Sequence, residues 1–227
     1  FVCIAQVCPK TYSNNLQNDD DSDSDVEVLL AGGRRELNLK EAKWNSQEGK
    51  SKVEEGLNKE VSNQIFEKRA LRPLSLEESS QIKRDQSDRI VDSRLVITSK
   101  VEDEGKEVVK VRWTARGDKD PDVFHLVREG HTSSPTISSN GRFAVLQAIA
   151  SYHYKLQLGD VTGAFLEADD LRRETGKLYL RAPRSMRLPG FHPDQLFEVI
   201  KPIYGLNDAP QRWLIKLQQA LTALGWQ

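Results

Sequence analysis

Cysteine is nearly missing from this sequence, with only Cys3 and Cys8 among 227 residues. A disulfide framework needs more than that, and a structural zinc site would lack ligands, so neither holds the fold together. Long apolar runs are missing too. Nothing approaches the roughly 20 residues that a membrane helix needs, and the opening FVCIAQVCPK has neither the basic flank nor the apolar length of a signal peptide. The expectation is an intracellular chain with no membrane segment. There is no excess of either charge, since 33 Lys and Arg face 34 Asp and Glu for a formal net charge of -1. Bulk charge therefore gives no hint of a polyanionic partner, and local placement must carry that question. An initiating Met is absent and the last residue, Gln227, follows directly on a helical pattern. Both features read as a piece of a longer protein.

What is present is 37% hydrophobic and 30% charged, the composition of one domain of ordinary size with an appended tail. Residues 11 to 33 carry no Lys or Arg and include NDDDSDSDVE. Residues 1–35 are therefore expected as a disordered, solvated acidic linker. Over 36–88 the pattern turns helical, with Leu39, Ala42 and Lys43, then Val53, Leu57, Val61 and Ile65, at three- to four-residue spacing. This stretch is expected to be a helical junction that breaks at Arg72-Pro73.

From Arg89 the period changes to two. RIVDSRLVITSK and KEVVKVRWTAR are β-branched, alternating runs joined by VEDEG, which predicts a β-hairpin with Gly105 in the turn. GDKDPD follows as turn chemistry. Ser138 or Ser139 is placed to cap a helix with Phe143, Leu146, Ile149 and Ala150 on one face. KLQLGDV then reads as a short strand with Asp160 near its end, and KLYLRAP and LFEVIKP as two more strands. In YGLNDAPQRW, Asn207 or Asp208 is placed to cap a last helix with Pro210 in its first turn. Trp213, Leu214, Leu217, Leu221 and Leu224 form that helix's stripe. The order predicts an α+β domain over 89–227, with helices packed on a mainly antiparallel sheet.

Asp160 is the best-placed carboxylate for chemistry. It stands beside Gly159, Gly163 and Ala164, which leave room for a bulky ligand, and hard divalent cations prefer carboxylate oxygens. One Asp at a strand end is otherwise a cap or turn residue.

Four stretches taken together carry a resemblance. VVKVRWTARGDKDPD is similar to the segment KARLVARGF, LQLGDVTGAFLEADD to LDVKTAFLNGDL, LYLRAPRSMRLPGF to IYMEQPEGF, and VIKPIYGLNDAPQRW to LKKSLYGLKQAPRAW. All are segments of Ty1/copia-type retrotransposon reverse transcriptases, and the match runs in order over residues 89–227. The GDVTGAFLEAD form resembles a divergent branch of that family. The resemblance implies an incomplete fingers and palm of a right-hand polymerase, adding dNTPs to a primer 3′ end by two-metal transfer. It implies Mg²⁺ or Mn²⁺ in the complete domain, held by the Asp160 carboxylate and the Val161 carbonyl. It places Phe165 under the sugar of the incoming nucleotide, Lys110 and Arg112 towards the triphosphate, and Tyr204 and Gly205 beneath the nascent pair. RNA template, DNA primer and dNTPs are the implied partners, with the integrase and RNase H of the Pol polyprotein alongside. A virus-like particle or the nucleus is the implied location.

The family's second catalytic motif, an aromatic-x-Asp-Asp hairpin, has no counterpart in these residues, and Asp169-Asp170 lacks its strand-turn-strand setting. The expectation is a chain inactive as a polymerase by itself. The other expectation kept open is a retroelement remnant that binds nucleic acid or partners without catalysis.

Overall fold

The computed structural model describes residues 35–36, 46–101, 107–153 and 159–225. It divides into two compact units, one of residues 1–35 with 136–161 and one of residues 36–135 with 162–227. The expected acidic linker and Gly105 lie outside the described residues. No described helix is long and apolar enough to cross a membrane.

The larger unit is α+β, with two sheets. Strand β1 (Arg35–Glu36) lies next to the first strand of a long hairpin. Helix α1 (Gln47–Ser62) starts where the Ser46 side chain accepts from the Gly49 N–H at 3.1 Å, the usual way of satisfying a free amide at a helix start. Val53, Leu57 and Val61 repeat every four residues and are buried, and Ile65 continues the row through a π turn at Asn63–Glu67. The chain reverses at Arg69, whose φ is +51°.

Strand β2 (Leu71–Pro73) comes where the sequence suggested a simple break. Pro73 is tolerated because β2 is the edge of its sheet, where a missing N–H costs no ladder bond. Helix α2 (Leu76–Asp85) opens with a reciprocal cap: Ser75 Oγ accepts from the Glu78 N–H at 3.1 Å, and Glu78 Oε2 accepts from the Ser75 N–H at 2.7 Å. Residues 46–88, expected within a helical junction, thus supply two α-helices and a strand to the same compact unit as the hairpin.

The RIVDSR run splits. Strand β3 (Ile90–Val91) joins the β2 sheet, while β4 (Ser93–Val101) pairs with β5 (Glu107–Ala115) in the expected hairpin, from Ser93↔Ala115 to Val101↔Glu107. The first sheet has the order β1-β4-β5. Beyond β5 come a 3-10 turn at Gly117–Lys119 and the short helix α3 (Val123–Arg128).

The smaller unit contains helix α4 (Ser139–Ser151), capped by Ser138 through the Gly141 N–H at 3.1 Å. None of its residues is buried. Of the strand expected at KLQLGDV, residues 155–158 lie outside the described residues, and Gly159, Asp160 and Val161 have no regular structure.

Back in the larger unit, Gly163 takes φ +69° to enter a 3-10 turn at Ala164–Glu167. Strands β6 (Tyr179–Arg181) and β7 (Leu196–Val199) complete the second sheet, of order β2-β7-β6-β3. β3 and β6 run parallel, whereas β6–β7 and β7–β2 are antiparallel. The Trp113 ring meets Phe197 edge-on at 5.0 Å, so one aromatic pair ties the hairpin to the second sheet. Helix α5 (Ala209–Ala223) follows with Pro210 in its first turn. Its stripe is only partly covered: Leu217 is buried, Trp213 half-buried rather than core, and Leu224 exposed.

Candidate nucleic-acid interface

The alternation in β5 sends two sets of side chains to opposite faces. Val111, Trp113 and Ala115 are buried, while Lys110, Arg112 and Thr114 face the other way. Antiparallel pairing places Arg94 opposite Thr114 and Val96 opposite Arg112, so Arg94 shares the Arg112 face. The outcome is an open cleft of about 740 Å3 whose lining includes Arg94, Arg112, Arg116, Tyr204, Gly205 and Asn207.

Two hydrogen bonds hold the Tyr204 loop against the end of β5. The Ala115 N–H donates to the Tyr204 carbonyl at 2.8 Å, and the Asn207 side-chain amide donates to the Gly117 carbonyl at 2.7 Å. Gly205, at φ +90°, is required here: a Cβ on it would lie 2.1 Å from the Ala115 carbonyl oxygen.

β5 is the edge strand of its sheet, and at Trp113 its backbone groups are satisfied by another element. Glu60 Oε1 accepts the Trp113 N–H at 3.0 Å, and the Gln64 amide donates to the Trp113 carbonyl at 2.9 Å. Burial raises the Glu60 carboxyl above its ordinary range, and the hydrogen bonds from Trp113 and Gln64 with the charges of Arg112 and Lys110 only partly oppose this.

Of the residues the resemblance singles out, Arg112, Tyr204, Gly205 and Phe165 are brought together. The Arg112 guanidinium sits 5.7 Å from the centre of the Tyr204 ring, and Phe165 tilts against the same ring at 5.3 Å. These contacts join segments 92 and 39 positions apart in sequence. Lys110 is exposed on the same face as Arg112, outside the cleft lining. Arg116 is tied to Asp118 at 2.7 Å, whereas Arg94 and Arg112 make no salt bridge among the described residues. Asp160, exposed, and Val161, half-buried, belong to the smaller unit.

Divalent metal fits these residues poorly by themselves. Among the described residues no group of three or more His, Cys, Asp or Glu is gathered where an ion could be held.

Beside the cleft lies an ionic cluster that the sequence pattern did not reveal. Arg173 donates to Asp120 at 2.7 and 2.9 Å, to Asp122 at 2.9 Å and to Asp208 at 3.0 Å. Arg89 grips Asp122 with both nitrogens, at 2.7 and 3.0 Å, and Arg212 donates to Asp208 at 2.8 Å. Burial pushes the Asp122 carboxyl up, but the hydrogen bonds from Arg89, Arg173 and Thr175 outweigh it and hold the group at about 2. GDKDPD is thus the acidic half of a buried lock. Asp208 stands at the N-cap of α5 without a side-chain capping bond, because its carboxylate is turned to the two arginines. Arg212 also donates to the Arg172 carbonyl at 3.1 Å. Asp169 pairs with Lys216 at 2.6 Å.

With this geometry in place, comparison with known proteins gives the chain a setting. It is 29% identical over 143 residues to the retrovirus-related Pol polyprotein from transposon RE2 of Arabidopsis thaliana, and 28% identical over 143 residues to that from transposon RE1 of the same plant. The chain is similar to transposon Pol polyproteins. Each match covers 60% of the chain but 9% of the relative, so the chain corresponds to a small part of such a polyprotein's length. No protein-family model and no solved structure matches it.

Proposed function

We propose that this chain is a segment of the RNA-directed DNA polymerase of a Ty1/copia-type Pol polyprotein, and that its hairpin cleft holds the phosphates of nucleotide and nucleic acid. One observation carries this reading. Arg112, Tyr204 and Gly205 line one cleft and Phe165 packs against its Tyr204 ring, so that residues from three separated motifs of the resemblance meet there. Similarity to the RE1 and RE2 polyproteins supports the same origin.

In this reading Arg94 and Arg112 supply guanidinium forks suited to phosphate oxygens. Tyr204 steadies Arg112 through its ring face. Phe165 underlies a nucleotide sugar, where an aromatic would crowd a 2′-hydroxyl, the group that distinguishes the two sugars. Gly205 lets the Tyr204 loop close onto the end of β5 and so sets the cleft wall. Asp160 and Val161 would contribute to a metal site that needs carboxylates beyond this set.

Arg94 and Arg112, which make no salt bridge among the described residues, also favour a second reading, a module that binds polynucleotide without catalysis. The test is titration of a labelled RNA/DNA hybrid across salt, with a primer-extension assay in Mg²⁺ alongside. Expected is binding that weakens steeply with salt and drops about tenfold in Arg112→Ala, with no extension by the chain alone. A chain that does not bind the hybrid rules out both readings. Extension that is lost in Asp160→Ala would make the chain a polymerase in its own right.

A further inference from the structure

From the last residue of β6 the chain reads RAPRSMRLPGFHP, residues 181–193, with three arginines, a histidine and no acidic residue before Asp194. In a chain of net charge -1 this is a local concentration of one sign. The segment walls a second open cleft, of about 700 Å3, whose lining also includes Lys83 of α2. Two of its cations are engaged: Arg181 pairs with Asp92 at 2.8 Å, and Lys83 with Asp194 at 3.7 Å. Arg184 and Arg187 are not. Both are exposed, and neither makes a hydrogen bond or ion pair with another described residue.

The same cleft has an apolar lining. Leu188 is buried, and Met186 and Phe191 are half-buried against the core. Phe191 meets Phe197 edge-on at 5.2 Å, which fixes its ring. The cleft is continuous with the hairpin through one stretch of chain. Asp92 holds Arg181, the Ser93 hydroxyl donates to the Arg181 carbonyl at 2.5 Å, and Arg94, the next residue, lines the hairpin cleft.

We infer that the β6–β7 cleft is a second nucleic-acid contact, in which Arg184 and Arg187 take adjacent phosphates of a single-stranded polynucleotide and the Met186–Phe191 surface takes an unstacked base. Guanidinium forks match phosphate geometry. An apolar, aromatic face beside them suits a base freed from a duplex and offers nothing to the carboxylates of an acidic peptide. The inference rests on the nucleic-acid reading of the chain but uses residues separate from the hairpin cleft.

The test is anisotropy of a labelled single-stranded oligonucleotide of about 20 nucleotides, titrated over a range of salt with the full chain. The variants are Arg184→Gln with Arg187→Gln, and Arg112→Ala. Circular dichroism checks that each is folded, and exposed positions 184 and 187 should leave the spectrum unchanged. The double variant is expected to lose about tenfold in affinity at low salt and to flatten the log–log salt slope by about 1.4, two contacts at ~0.7 each. An unchanged slope and affinity, with Arg112→Ala still weakening binding, overturns the second contact alone. Loss in the double variant with none in Arg112→Ala supports the second contact and overturns the hairpin cleft. No binding by the parent chain overturns both. Displacement by poly-glutamate as effective as by unlabelled oligonucleotide at equal charge identifies an acidic polypeptide as the occupant and overturns the inference.

Discussion

Gly117 and Gly205 pack backbone to backbone, so that a Cβ on Gly117 would lie 2.1 Å from the Gly205 carbonyl oxygen. The reciprocal approach of Gly205 to Ala115 makes this junction intolerant of any side chain. Gly205→Ala combines that collision with a strained φ of +90° and is expected to cost about 3 kcal/mol in urea unfolding. Gly130→Ala has a similar φ of +72° but nothing within 4 Å, and should cost only about 1 kcal/mol. Equal losses at the two positions would mean that strain, not contact, decides.

Arg173 satisfies three carboxylates whose side chains are at most 5% exposed. Arg173→Met should cost about 3–5 kcal/mol, because it strands buried charges. Lys216→Ala, which breaks the exposed pair with Asp169, should change stability by no more than about 0.5 kcal/mol. Chemical denaturation of the two variants compares them directly.

Acid sensitivity follows from Asp122. Its folded pKa, about 2, lies below the ordinary Asp value. The stabilisation is therefore complete above the unfolded value of ~4 and is lost as pH falls through 2, a change of about 2 kcal/mol. In Asp122→Asn this part of the pH dependence should vanish. A stability curve for that variant with the parent's acid limb would contradict the assignment.

Glu60 titrates in the opposite sense. Its folded pKa is raised, so its contribution is present below the ordinary Glu range and is lost as pH rises through the raised value. Glu60→Gln keeps an acceptor for the Trp113 N–H and should remove that loss, leaving stability at pH 7 equal to or above the parent's. Glu60→Ala leaves the buried N–H unmatched and should cost about 1–3 kcal/mol. Urea midpoints measured from pH 4 to 8 separate these outcomes.

Local signals in the sequence carried much of this fold. Alternation over 93–101 and 107–115 predicts the hairpin and the shared face of Lys110 and Arg112, because one buried face imposes period two. The Val53–Ile65 spacing and the Ser138 cap are equally local. The contacts of Arg112 and Phe165 with Tyr204 are not legible in the sequence, since residues 92 and 39 positions apart share no period; the motif resemblance only names them in one family. The Arg173 cluster left no such trace, since ion pairs between residues 35 to 53 positions apart have no period. β2 was hidden by Pro73, which an edge strand tolerates. Trp213 reads as core on its helical stripe, yet that face of α5 is only partly covered.

The Glu60 and Gln64 contacts to Trp113 also bear on where the polypeptide can be cut. A shortened protein beginning at Arg89, the boundary that the change of period suggests, would strip the hairpin of its only described neighbours at the Trp113 amide and carbonyl. It would also remove β2 from the flank of β7. Such a product would offer two raw strand margins to other copies of itself, and it should precipitate where a protein that starts ahead of Ser46 remains dispersed.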